Sequence, residues 1–314
     1  MKTFSLNPLS PSPWPHRFAL LTTLATVPLL FIGGLVTSTD SGMAVPDWPT
    51  TFGENMFLYP WSKMVGGIFY EHSHRLFGSL VGFLTIFLTI SLWVKEPRQW
   101  LRWLGVVALG AVIVQGILGG LRVTLAQQTL AIVHACFAQA FFALAASLVL
   151  FTSPEWRVPI VQQTAPDAGR VQRLGSITAG LIYIQLILGA LLRHRGTGDM
   201  FHIAGAIIVA VHVILLAAPV IRNYSNLPVL VKTARLLRSL LFVQLLLGIG
   251  AYLGKFTQSG TALNPYIVLL ATTHVVVGAL MLVTCLILTL WSYRLLTPHP
   301  VTLQSHTLST QAPL

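Results

Sequence analysis

Charge is the scarcest commodity in this 314-residue sequence. Asp, Glu, Lys and Arg together make up 9% of the chain, and acidic residues number only 8. A soluble domain usually carries about a quarter charged residues. Water-soluble globular and disordered architectures are therefore poor fits. The formal net charge of +11 is not gathered into a dense basic stretch, so a nucleic-acid partner is not expected. Two cysteines exclude a fold held by a disulfide framework. What the chain has in quantity is apolar sequence, at 54%, which points to a lipid bilayer as its main solvent.

About 20 apolar residues cross the ~30 Å hydrocarbon layer. Eight runs are long enough: Arg17–Thr37, Met64–Trp93, Leu101–Leu121, Thr129–Phe151, Leu174–Leu192, Phe201–Ile221, Leu236–Leu253 and Tyr266–Trp291. Unpaired amides are too costly in hydrocarbon for lone strands, so each run is predicted helical. The expected fold class is an all-α membrane protein of eight transmembrane helices in two pseudo-repeated four-helix bundles. Their bounds are residues 17–152 and 170–295, separated by an inner loop over Thr152–Arg173. The first run is too long for a cleaved signal peptide, and no small-residue cleavage site follows it. With both termini in the cytoplasm, 13 of the 19 basic residues fall on the inner side, as positive-inside topology requires. A multi-pass plasma-membrane protein is expected, with flexible tails over Asn7–Pro15 and residues 297–314. The outer loop Ser38–Lys63 is expected to form a small cap.

Two internal echoes follow. The third, fifth and seventh runs share an apolar residue, Gln, two variable residues, Leu and Gly, at Gln115–Gly119, Gln185–Gly189 and Gln244–Gly248. The first run keeps only Phe31-Ile32-Gly33-Gly34. Either these glutamines join helices, or they touch a polar group of a bound ligand. The second and sixth runs each place a carboxylate three residues before a histidine, Glu71 before His74 and Asp199 before His202. That spacing puts both groups on one helix face. His134 and His274 open the fourth and eighth runs. All four histidines fall in the outer third of their spans, as the pairs His74 with His134 and His202 with His274.

An ionisable side chain inside a membrane is a functional candidate by default. No tight Cys, His and Asp cluster supplies the three or four ligands zinc prefers. Two neutral imidazoles on facing helices suit the two axial positions of haem iron. Two haems are expected, with His74, His134, His202 and His274 as cofactor-binding and metal-ligating residues. Glu71 is read as a proton-transfer group, or as a partner of a histidine or of Arg75. Arg75, Arg122, Arg193 and Arg195 either neutralise haem propionates or snorkel to headgroups. His72 is placed at the site entrance, and His212 is read as packing.

These residues together resemble the heme A synthase family over roughly residues 17–295. The resemblance rests on Gly33-Gly34-Leu35-Val36, Thr39-Asp40-Ser41-Gly42 and Pro46-Asp47-Trp48-Pro49. It rests further on Glu71-x-x-His74-Arg75-Leu76-x-Gly78, on Gln115-Gly116-x-Leu118-Gly119-Gly120 with His134, and on the repeated half with His202 and His274. It implies oxidation of the C8 methyl of heme O to the formyl of heme A by successive hydroxylations. It implies a substrate haem at His74 and His134, with Glu71, His74 and His134 as the catalytic set. It implies haem b at His202 and His274, as an electron-transfer group. By the same resemblance, a heme O-producing prenyltransferase, the cytochrome oxidase assembly machinery and an electron acceptor are expected partners, and a homo-oligomer is compatible with it. Many members carry cysteine just before the Pro-Asp-Trp-Pro stretch. Here that residue is Val45 and the loop has no cysteine, so either a cysteine-free subtype does the same chemistry or the electron input differs. Many also carry Arg where this chain has Thr37. The runner-up reading is a di-haem b-type electron-transfer protein without substrate conversion; a third is a transporter built on the repeat.

Overall fold

A computed structural model describes residues 12–257 and 264–298. Eight helices in it are long and apolar enough to cross a membrane, in agreement with the number read from the sequence. They are α1 (Trp14–Ser38), α2 (Gly67–Lys95), α3 (Gln99–Thr124), α4 (Gln128–Thr152), α6 (Ala168–Arg195), α7 (Asp199–Asn223), α8 (Pro228–Thr257) and α9 (Pro265–Leu295). A short helix α5 (Pro154–Arg157) and strand β1 (Gln163–Ala165) lie between α4 and α6, and β2 (Leu296–Pro298) follows α9.

Several helices outrun their apolar cores. Helix α6 begins at Ala168 rather than Leu174, and α8 at Pro228 rather than Leu236. The added turns carry Arg170, Arg173, Lys232 and Arg235. Hydropathy marks where lipid begins, whereas the backbone hydrogen-bond ladder continues into polar surroundings. Helix α9 starts where Asn264 accepts the Tyr266 amide on its side chain and Pro265 takes the first turn. The short connection from α6 to α7 turns on Gly196 (φ 70°) and Gly198 (φ 94°), a region other residues enter at a cost. Arg193 and Arg195 in the last turn of α6 favour its negative end.

Neighbouring helices close two rings. Helix α1 packs on α2, α2 on α3, α3 on α4, and α4 back on α1; α6, α7, α8 and α9 close in the same order. The rings meet where α1 and α4 face α6 and α9. Each ring has its own apolar core. Ala19, Leu88, Leu92, Leu101, Ala108 and Leu148 fill the first. Val213, Leu216, Leu237, Cys285 and Leu288 lie in the second. A third cluster, with Leu30, Phe142, Ala146, Val276, Ala279 and Val283, forms the seam.

Up-and-down order puts four of the seven connections on one face and three on the other. One face carries the long connection of residues 39–66, here the loop face. On the opposite face, Glu96 is buried between Arg98 (2.7 Å) and Arg157 (3.0 Å), tying the end of α2 to α5. Strand β1 pairs in parallel with β2, Gln163 opposite Leu296, and Arg294 donates to the carbonyls of Trp156 and Val158. Residues 297 and 298, expected in a flexible tail, are thus docked, and Trp14 and Pro15 are already helical. Residues 7–11 and 299–314, with His299 and His306, lie outside the described residues.

Candidate functional site

The four intramembrane histidines share one construction. A helical side chain covers the turn before its own Cα. A glycine therefore bares the carbonyl four residues earlier. Each histidine ring is set against such a glycine on the preceding span. A Cβ added at Gly33 would stand 2.9 Å from Cε1 of His74, and one at Gly119 would stand 3.2 Å from Cε1 of His134. At Gly189 and Gly248 it would meet His202 at 3.1 Å and His274 at 2.9 Å. The recurring phrase in the sequence is this socket, with the glutamine at the bared carbonyl.

Two of the sockets fix the tautomer. Nδ1 of His134 donates to the Gln115 carbonyl at 3.1 Å, and Nδ1 of His274 donates to that of Gln244 at 3.1 Å. An imidazole that spends Nδ1–H on a carbonyl has Nε2 left to bind metal. The rings come together as the sequence predicts. His74 and His134 have centroids 6.2 Å apart at 76°, and His202 and His274 have centroids 6.2 Å apart at 68°. A metal ~2 Å from one nitrogen of each ring needs centroids about 6 Å apart, so both pairs fit a two-imidazole, axially ligated iron. No group of three or more His, Cys, Asp or Glu suited to a metal occurs among the described residues, so a tetrahedral zinc set is not built.

The two pairs differ in their cover. Over the first, the connection 39–66 is pinned to α2. Arg75 donates to the carbonyls of Asp47 (2.7 Å), Thr50 (3.0 Å) and Val45 (3.0 Å), and pairs with Glu71 at 2.8 Å. Glu71, 4% exposed, also accepts the Val45 amide at 2.9 Å. Arg75 thus pairs with Glu71, one of the readings the sequence offered, and is committed to the loop rather than to propionates or headgroups. His72 corrects the expectation from sequence. Rather than lining an entrance it is buried against Thr51 (3.1 Å) and Tyr59 (ring centroids 5.2 Å), inside the latch. Asp47 organises the loop tip by accepting the Phe52 and Gly53 amides at 2.8 and 2.9 Å and the Thr50 hydroxyl. Burial works against its charge, yet the Gly53 amide, the Thr50 hydroxyl and the Phe52 amide hold its carboxyl below the usual range. The loop seats on α3 through two glycines. A Cβ at Gly120 would overlap Trp48, and one at Gly42 would overlap Arg122.

Among the described residues, the second pair has no equivalent latch. Asp199, matched to Glu71 by spacing, makes no hydrogen bond to a described residue, and Ile203 stands where Arg75 would be. Arg193 is spent on the seam, donating to the Gly34 carbonyl (2.5 Å), the Ser38 hydroxyl and the Ala271 carbonyl (3.4 Å). Arg122 keeps a guanidinium without a hydrogen bond to a described residue, in the field of Glu71 and Asp40. Arg195 is exposed. His212 bonds the Ile208 carbonyl on its own helix, as a packing residue would. Cys136 and Cys285 are free thiols.

Residues 16–201 match the family COX15-CtaA, described as a cytochrome oxidase assembly protein. The matched stretch holds Glu71, His74 and His134 and ends one residue before His202. Curated relatives named "Heme A synthase" include one from Shouchella clausii, 31% identical over 57% of this chain and 58% of its own. Another, from Halalkalibacterium halodurans, is 34% identical over 42% of each chain. A third, from Alkalihalophilus pseudofirmus, is 33% identical over 42% of this chain and 44% of its own. The chain thus matches about half the length of these relatives.

Proposed function

This chain belongs to the COX15-CtaA family of cytochrome oxidase assembly proteins, and from that premise we propose that it is an oxidoreductase that converts heme O to heme A. In this reading the substrate, heme O, lies between His74 and His134, and its C8 methyl is oxidised to the formyl by successive hydroxylations. The single observation that carries the reading is the asymmetry of two otherwise matched histidine pairs: among the described residues, one of them alone lies beside a buried, oriented carboxylate under a latched loop.

His202 and His274 would hold haem b, which when bound supplies one-electron redox chemistry. The residues of the first half bind, orient and shield. His74 and His134 hold the substrate by its iron. Leu, Val and Phe side chains of the bundle surround the ring. Glu71 is the proton acceptor. Arg75 and the Val45 amide fix its two oxygens, and each oxygen has a further lone pair to receive a proton. The loop 39–66 covers the pair and excludes water. Arg122, half-buried and without a carbonyl partner among the described residues, is the partner for a propionate.

The proposal divides the chain into halves at 17–152 and 170–295. It places both termini in the cytoplasm and the histidine pairs toward the outer face of the plasma membrane. The heme O-producing prenyltransferase, the cytochrome oxidase assembly machinery and an electron acceptor remain the proposed partners.

Extraction of haem from the purified protein, with and without heme O supply, followed by mass identification, tests this. Heme O and heme A are expected; haem b alone would favour a di-haem electron-transfer protein. His74→Ala and His134→Ala are expected to abolish heme A formation. Glu71→Ala is expected to retain haem while oxidation stalls. Full turnover by any of the three would remove that residue from the mechanism.

A further inference from the structure

The matched halves also differ on the face opposite the loop face, away from the histidine pairs. The socket glycines and the histidines set the register between them. Trp14 lies nineteen residues before Gly33 and Arg170 nineteen before Gly189, and Phe18 and Leu174 correspond in the same way. Phe87 lies thirteen residues after His74, and Leu215 thirteen after His202. In the first half these positions fill the crevice between α1 and α2. Trp14 stacks on Phe18 with ring centroids 5.7 Å apart, and Phe18 on Phe87 at 5.8 Å. In the second half none of the three is aromatic, and a groove of about 260 Å³ stays open between α6 and α7. Arg170, Ile214, Leu215, Ala218, Pro219 and Arg222 line it.

The groove has a charged end and an apolar floor. Arg170 stands in the first turn of α6 and Arg222 in the last turn of α7. Neither forms an ion pair with a described residue. Asp167, the carboxylate beside Arg170, is taken by neutral donors, accepting the Tyr224 hydroxyl at 2.5 Å and the Asn223 amide at 3.0 Å. Nε of Arg222 donates to the Asn223 side chain at 3.2 Å, and its terminal nitrogens have no hydrogen bond to a described residue. Below the arginines, Ile214 and Leu215 are 54% and 43% exposed, and Ala218 and Pro219 are too short to close the groove. This floor belongs to a membrane-spanning helix, so its solvent is lipid.

We propose that the groove is a site for one anionic phospholipid, its phosphate held by Arg170 and Arg222 and one acyl chain laid along Leu215 and Ala218. Guanidinium groups grip phosphate oxygens through paired N–H bonds, and basic pockets between spans at the membrane surface suit anionic headgroups. A soluble anion would use the two arginines but not the apolar floor. The lipid does for α6 and α7 what Trp14, Phe18 and Phe87 do for α1 and α2, filling the crevice between neighbouring spans. Nothing in the site depends on what the histidine pairs hold.

Native mass spectrometry of the full-length protein in detergent, titrated with phosphatidylglycerol or with phosphatidylcholine of the same acyl chains, tests the site. One phosphatidylglycerol per chain is expected to bind in preference to phosphatidylcholine. Arg170→Gln and Arg222→Gln should each weaken that binding about five-fold, and the two together about thirty-fold. Arg235→Gln removes an exposed cation of α8 outside the groove and should change nothing. Arg170→Trp, Leu174→Phe and Leu215→Phe combined rebuild the aromatic filling of the first half and should exclude the lipid. Should that variant fail to fold, the single arginine substitutions decide, since both side chains are exposed. Equal binding of the two lipids overturns the proposal, as does a loss in Arg235→Gln as large as that in Arg222→Gln. Binding indifferent to both groove arginines, or displacement of the lipid by inorganic phosphate, overturns it too.

Discussion

Arg75 shows what a single residue can and cannot disclose. Its position one after His74 was legible, and so was its spacing of four from Glu71. Its orientation was not, because the three carbonyls that claim it belong to a loop whose path no periodicity encodes. The same limit misplaced His72. The four histidines themselves were legible, since ionisable groups in apolar runs have few bland explanations. At this scale the loop tip makes a pH prediction. An unfolded aspartate titrates near 3.8, and Asp47 is held lower in the fold. Its contribution to loop closure is complete above that range and is lost as pH falls through the depressed value. Proteolysis of residues 39–66 should therefore accelerate in acid. Asp47→Asn should make the loop sensitive already at neutral pH, and equal sensitivity of variant and wild type at neutral pH would contradict this.

At the scale of the element, adjacent glycines on α3 have separate tasks. Gly119 admits the His134 ring and Gly120 admits Trp48. Gly119→Ala is expected to reduce haem at the first pair while leaving the loop seated. Gly120→Ala should displace Trp48 at a cost of about 1–3 kcal/mol, loosen residues 39–66, and leave the His134 socket intact. Haem content and protease sensitivity, measured on both variants, separate the two effects; identical behaviour would show that one defect propagates through both. The repeated Gln-to-Gly phrase was visible as a pattern, but its meaning lay on the next helix. A histidine against a bared carbonyl is a relation between two spans, and single-chain spacing holds only half of it. Helix ends were missed for a simpler reason: Arg170 and Lys232 look like loop residues to a hydropathy reading and yet sit in continuous backbone ladders.

For the whole molecule, the number and order of spans follow from the low charge content, while the closure of two rings against one seam does not. Apolar residues face lipid and protein alike, so a bilayer-embedded sequence carries little contrast between its core and its surface. Small residues at Ala146 and Ala279 and the polar bonds of Arg193 mark the seam only after the fold is known. A charge-assisted hydrogen bond contributes about 1.5–3 kcal/mol. Arg193→Ala should therefore lower the thermal stability of the whole protein while each histidine pair keeps its spacing. A melting temperature unchanged from wild type would show that Arg193 does not hold the rings together.

The position of α9 has a consequence for how the chain is made. It lies against α1, α4, α6 and α8, and it is the most buried of the eight spans. It is also the last of them to leave the ribosome. Until it inserts, α1 and α4 present lipid with the faces they later turn to the seam, and His274 is absent from the second pair. Maturation of both halves must then wait until α9 has left the ribosome. A stalled chain ending before Pro265 would be an open scaffold on both sides, not a finished first half with an unfinished second.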